Sequence, residues 1–289
     1  MNNLNGITMH QIYYYIRPIF IFGLCFSYQS ICLHLATRQY LLYMKNNSKW
    51  ELVDIVEDSL VSLLKSNHID IPIQILDLIG IIPMISNCLL ISIAIYYKYD
   101  VLSVLNKTFL IGSILAVIKG TLDIVTILPD SNGYEHCKVR LGPDTITFLT
   151  NLNFDTKFFK SFYDLLITEI FGINNDHQHM RYCSDMLLSG HTYFVVLFSI
   201  ASYKMITIIN PDLNQSSRRL IQVIILIYIG LEVLLILISK FHYTVDILIA
   251  IVLVLLLWDS SLVNNISQNL VTDFEILPDE LDTKEDNLI

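Results

Sequence analysis

With 289 residues, 54% of them hydrophobic and only 16% charged, the chain falls well short of the roughly one-quarter charged composition of a soluble domain. A mean hydropathy of +0.55, together with apolar runs near the ~20 residues that a helix needs to cross a bilayer, makes it a polytopic membrane protein. The net charge of −9 offers no basic surface to nucleic acid, and much of it sits in the tail after Thr272.

In chain order, residues 1–11 are a short polar tail. Residues 12–36 predict a first crossing, retained rather than cleaved because no small-residue cleavage site follows. An aqueous segment spans 37–74. Within it Leu52, Val53, Ile55, Val56, Leu60, Leu63 and Leu64 are spaced as on an amphipathic surface helix. Asn46-Asn47-Ser48 is a glycosylation sequon, usable only on the lumenal side. Further crossings are predicted at 77–97, 108–128, 187–208, 220–238 and 243–262. The long segment from Pro129 to Tyr182 holds an apolar stretch, Phe158 to Ile173, suited to a re-entrant or interfacial helix. The membrane domain is therefore 12–262, followed by an acidic, disordered cytosolic tail over 263–289.

Six crossings bring both termini to one face. The short loops there carry Lys98, Lys107, Arg218 and Arg219, which predicts cytosolic termini. Of the five cysteines, Cys25, Cys32 and Cys88 fall in apolar runs as packing residues. Cys137 and Cys183 fall outside the spans on one side, where a disulfide between them is open. No cysteine spacing suits a metal.

Two motifs carry the chemistry. Cys183-Ser184-Asp185-Met186-Leu187-Leu188-Ser189-Gly190-His191-Thr192 opens one apolar run, and Phe241-His242-Tyr243-Thr244-Val245-Asp246 opens another. One outward-and-back pair of crossings separates them, so both histidines lie at the same membrane face. His242 and Asp246 are four apart, one helical turn on one face. A carboxylate there orients one imidazole nitrogen and leaves the other to attack. Gly190 lets another group approach the backbone closely. Two helix N-termini aimed at one spot make an anion site. Together these suit phosphoryl transfer through a phosphohistidine. Lys119 and Asp123, four apart inside the third crossing, either serve the site or neutralise each other. Glu232, in the fifth, receives no role.

The Ser-Gly-His-Thr and His-Tyr-Thr-Val-Asp motifs resemble the sphingomyelin synthase, or sphingolipid synthase, family. This is the transferase branch of the type 2 phosphatidic acid phosphatase (PAP2) superfamily. Cys183 to Thr192 matches the family's Cys-Gly-Asp-x3-Ser-Gly-His-Thr with Ser184 in place of glycine, and His242 to Asp246 matches its His-Tyr-Thr-x-Asp in full. Val125 to Pro129 is similar to its Val-Thr-x-Leu-Pro stretch, Lys119 falls where an arginine is usual, and the resemblance runs from Asp77 to Leu262.

The resemblance implies an all-α, PAP2-like bundle of six transmembrane helices. It implies catalysis by His191, His242 and Asp246, with His242 attacking a glycerophospholipid phosphate and His191 protonating the leaving diacylglycerol. Ceramide then takes the head group. Asp185, Lys119, Tyr243, Ser189 and Gly190 become candidate substrate-binding residues. No metal or cofactor is implied. The compartment is the Golgi or plasma membrane, with the endoplasmic reticulum also open, and the site faces the lumen or exterior. The donor can be choline-, ethanolamine- or inositol-bearing; His136-Cys137 and Ser239-Lys240 resemble the inositol-using members. The sequence neither fixes nor forbids a homo-oligomer. A PAP2-type lipid phosphatase is the second reading, although its Lys-x6-Arg-Pro motif is missing. A non-catalytic membrane scaffold or ceramide sensor is the third.

Overall fold

A computed structural model describes residues 9–44, 54–65, 73–128, 133–152, 157, 159–164, 183, 187–240 and 242–270. Among them there is no strand. The helices are α1 (Met9–Met44), α2 (Ile55–Lys65), α3 (Ile73–Tyr97), α4 (Leu102–Val125), α5 (Gly133–Asn151), α6 (Gly190–Ile209), α7 (Gln215–Ile238) and α8 (Thr244–Asp259), with α9 (Ser261–Leu270) bent 60° from α8. In α1, α3, α4, α6 and α7 the described residues provide five stretches long and apolar enough to cross a membrane; the bent pair α8–α9 makes a sixth when its two helices count as one broken span. The chain is an all-helical, multi-pass integral membrane protein.

α6 is the most buried of these spans and packs against α3, α4, α7 and α8. Ile111 and Leu115 of α4, Tyr193, Val196, Leu197 and Ala201 of α6, and Ala250 and Val254 of α8 form the main core. The outward faces of α7 and α8 are apolar as well: Leu220, Ile224, Ile227 and Leu231 on the one, Val245, Leu248, Val252 and Leu256 on the other, are exposed. Such a face is at rest only against lipid. Inside the bundle, polar side chains cross-link helices. The Asn87 amide donates to Phe198 O at 2.7 Å and to Ser202 Oγ at 2.8 Å, joining α3 to α6. Tyr193 Oη donates to Gln29 Oε1 at 2.7 Å, joining α6 to α1.

Two helix ends differ most from the sequence expectation. α1 continues past Ala36 to Met44. The spacing of Ala36, Tyr40 and Met44 keeps one face buried, and with Leu41 it packs on Cys137, Leu141, Leu149 and Leu152. Arg38 ties this extension to α5 by donating to Leu152 O at 2.9 Å. α4 begins at Leu102, not Thr108, because Val101, Leu102 and Leu105 are buried against Ala94 and Met205. α5 is kinked where Gly142 takes φ 76° ahead of Pro143, a left-handed conformation that glycine adopts without a Cβ clash. Of the stretch from Phe158 to Ile173, residues 159–164 are helical and 165–173 lie outside the described residues.

Cys137 of α5 and Cys183 are disulfide-bonded, Cα to Cα 5.5 Å. Cys183 N also donates to Thr37 Oγ1 at 3.3 Å. Cys183, the first residue of the first histidine motif, is thereby fastened to α1 and α5.

Candidate active site

Ser189 caps α6. Its backbone is extended, its hydroxyl accepts from Thr192 N at 3.3 Å, and the same hydroxyl donates to Thr192 Oγ1 at 2.9 Å. A serine placed just before an apolar helix does this because it satisfies one of the N–H groups that a helix start leaves over. Ser189 N donates to Asp246 O at 3.3 Å, so the starts of α6 and α8 are joined backbone to backbone. Lys119, fully buried in α4, donates to Leu188 O at 2.7 Å and stands 3.6 Å from Asp123.

The close approach expected at Gly190 is made by that same lysine. A Cβ there would lie 3.3 Å from Lys119 Cε and 3.8 Å from Gln29 Nε2. Ser189, Gly190 and Lys119 therefore build and hold the turn that presents His191. His191 is half-buried, and a Cβ at Gly80 of α3 would lie 3.6 Å from its Cδ2.

The second motif is arranged differently from a simple helical face. α8 starts at Thr244 with Tyr243 as its N-cap, so His242 precedes the helix, and Asp246 sits at its third position. Asp246 Oδ2 accepts from Tyr243 N at 3.1 Å and lies 3.9 Å from His242 Nδ1. The carboxylate thus caps the helix and faces the imidazole at ion-pair distance, beyond hydrogen-bond length. Asp246 Oδ1 has no hydrogen-bond partner among the described residues. His242 and Asp246 are fully buried and Tyr243 nearly so.

The His191 and His242 ring centroids are 6.4 Å apart, their planes at 59°. The fold brings His191, His242, Asp246, Lys119, Tyr243, Ser189 and Gly190 to one end of the bundle. Asp185 lies outside the described residues.

Four N–H groups at the two helix starts are engaged within the protein: Ser189 by Asp246 O, Thr192 by Ser189 Oγ, Tyr243 by Asp246, and Thr244 by Asp54 Oδ2 at 2.6 Å. Of the residues that build this end of the bundle, sequence reasoning missed Gly80, Gln29 and Asp54. Asp54-Ile55-Val56-Glu57 has the acid–x–x–acid pattern of a helix start, which points to a cap on α2 but not to a partner 190 residues away.

A buried histidine–aspartate pair stands near a second histidine at one end of the helix bundle, an arrangement chemically able to carry phosphoryl groups. Residues 182–262 match the family described as PAP2 superfamily C-terminal, a stretch that contains both His191 and the His242–Asp246 pair. The match supports a PAP2-like lipid phosphatase or phosphotransferase. Comparison with the curated proteins and with the solved structures gave no match.

Proposed function

We propose that the chain is a phosphosphingolipid synthase, moving a phospho-head group from a glycerophospholipid to ceramide and releasing diacylglycerol. The observation that carries this reading is the pair of imidazoles 6.4 Å apart with Asp246 on the Nδ1 side of His242. With Nδ1 turned to the carboxylate, Nε2 is the nitrogen left to form the P–N bond. As the bond from phosphorus to the glyceride oxygen breaks, protonated His191 gives that oxygen its proton. The neutral His191 then takes the proton of ceramide's primary hydroxyl, whose oxygen displaces His242 from phosphorus. Both histidines return to their starting forms.

Burial of His242 and Asp246 favours transfer over hydrolysis, because a phosphohistidine held away from water awaits the lipid alcohol. The 3.9 Å His242–Asp246 separation suits a site that tightens when substrate binds. The Cys137–Cys183 disulfide supports placing this end of the bundle in an oxidising lumen or at the cell exterior, with the termini in the cytosol and Golgi or plasma membrane as the compartment. Lys119 then acts mainly by holding the His191 turn, and Tyr243 by capping the His242 helix.

The test is expression in cells lacking such synthases, fed fluorescent ceramide, with products identified by head group. A new choline, ethanolamine or inositol phosphosphingolipid, lost in His191→Ala and in His242→Ala, supports transfer and names the donor. Diacylglycerol formed from phosphatidic acid without any sphingolipid product turns the reading to a phosphatase. Product formation that survives both substitutions removes the mechanism.

A further inference from the structure

α2 holds the turn that carries His242 from both sides. Asp54 stands at the start of α2 and accepts from Val56 N at 3.0 Å through Oδ1, as a helix cap does. The same carboxylate accepts from Thr244 N at 2.6 Å through Oδ2 and from Thr244 Oγ1 at 3.0 Å through Oδ1. The N-termini of α2 and α8 therefore converge on one carboxylate. One turn further along α2, Asp58 Oδ1 meets Lys240 Nζ at 2.7 Å. Lys240 has φ 50°, a left-handed conformation uncommon for a residue with a side chain. Leu60 completes the contact by packing on Ile236, Leu237 and Ile247. Residues 240 and 244, two before and two after His242, are thus tied to two aspartates a turn apart on α2.

We propose that Asp54 is a positioning residue for His242, acting through Thr244 to fix the first turn of α8. The inference rests on reading His242 as the phosphate acceptor. A charged acceptor at a helix N-terminus makes strong, short hydrogen bonds and adds a favourable interaction with the helix dipole. His242 lies just before the N-cap of the helix, outside its regular turns. Its register against Asp246 depends on how firmly Tyr243 and Thr244 are seated. The Asp58–Lys240 pair, half open to solvent on the aspartate side, is too weak to do this alone. Misplacing a catalytic group by about 1 Å can cost on the order of 100-fold in rate.

Full-length protein in lipid nanodiscs is compared as wild type, Asp54→Ala, Asp54→Asn, Thr244→Val and the Asp54→Ala/Thr244→Val double variant. Three quantities are read: kcat and KM for head-group transfer, the thermal midpoint, and carbethoxylation of His242 by diethyl pyrocarbonate, followed by mass spectrometry. Asp54→Ala is expected to lower kcat by roughly 10- to 100-fold, with KM near wild type and a fall in thermal midpoint, from the lost caps, that leaves the protein folded at the assay temperature. Asp54→Asn, which keeps one acceptor oxygen for Thr244, falls between. The double variant is no worse than the poorer single one. His242, protected in the wild type, labels several-fold faster in Asp54→Ala. Wild-type kcat and wild-type protection in Asp54→Ala overturn the proposal, as does a loss of kcat that only tracks loss of folded protein. If the wild type transfers no head group from any donor, the synthase reading fails. The labelling then decides Asp54 alone: faster carbethoxylation of His242 supports positioning, and unchanged protection overturns it.

Discussion

Lys119→Met separates a lysine that holds the structure from one that serves only as a cation for the substrate. The lysine is buried in α4, 3.6 Å from Asp123, and its ammonium donates to Leu188 O at 2.7 Å. It also lies within electrostatic reach of Asp246. Removing one partner of a buried ion pair leaves an uncompensated charge and costs about 3–5 kcal/mol, whereas replacing both by apolar groups of similar size is often close to neutral. The Lys119→Met/Asp123→Leu double variant should therefore recover most of that loss. What it cannot recover is the charged hydrogen bond to Leu188 O, worth about 1.5–3 kcal/mol. Stability is read as thermal unfolding in detergent of wild type, both single variants and the double, giving a double-mutant cycle. The expected coupling is at least about 1 kcal/mol in the rescuing direction, with transfer activity remaining low in the double variant because the His191 turn has lost its anchor. A double variant no more stable than Lys119→Met would refute the reasoning, and so would a stable Lys119→Met that loses only affinity for lipid.

Three further outcomes follow from the packing. Cys137→Ser opens a link between residues 46 apart in sequence, which chain entropy values at up to about 4 kcal/mol; the thermal midpoint should fall, and reductant should lower the wild type alone. Glu232 is fully buried in α7, and neither carboxylate oxygen has a hydrogen-bond partner among the described residues. Glu232→Leu, which removes a polar group buried in an apolar setting, should therefore raise the unfolding midpoint by about 1–3 kcal/mol equivalent, and a drop instead would mean that the carboxylate has a bound partner. Asn87→Leu removes the amide that bridges α3 to Phe198 O and Ser202 Oγ; a loss of about 0.6–2 kcal/mol is expected in the same assay.

Much of this architecture can be read from the order of residues. The starts of α6 and α8 are announced by Ser189 and by the His242–Asp246 spacing, each at the onset of an apolar run, and the joint position of the two histidines follows from counting crossings. The extension of α1 is less visible, because Arg38 and Gln39 interrupt the apolar pattern between Ala36 and Tyr40, and only contact with α5 shows which face is buried. The roles within the site were the least legible. Lys119 can be paired with Asp123 from spacing alone, but its bond to Leu188 O joins residues 69 apart. Asp54 reads as an ordinary helix start, and its hold on Thr244 exists only once α2 has folded against α7 and the His242 turn.

The sharp break after Asp259 divides the last candidate crossing between two helices. Sixteen residues of α8 rise about 24 Å at 1.5 Å each, less than the ~30 Å hydrocarbon core of an average bilayer, before the chain bends by 60° into α9. The ten residues of α9 supply the rest, and at 60° to α8 they add about half their length along its direction. The depth that the pair reaches is then set by the bend, and activity measured in reconstituted bilayers of stepped thickness should vary less than a single rigid span would allow.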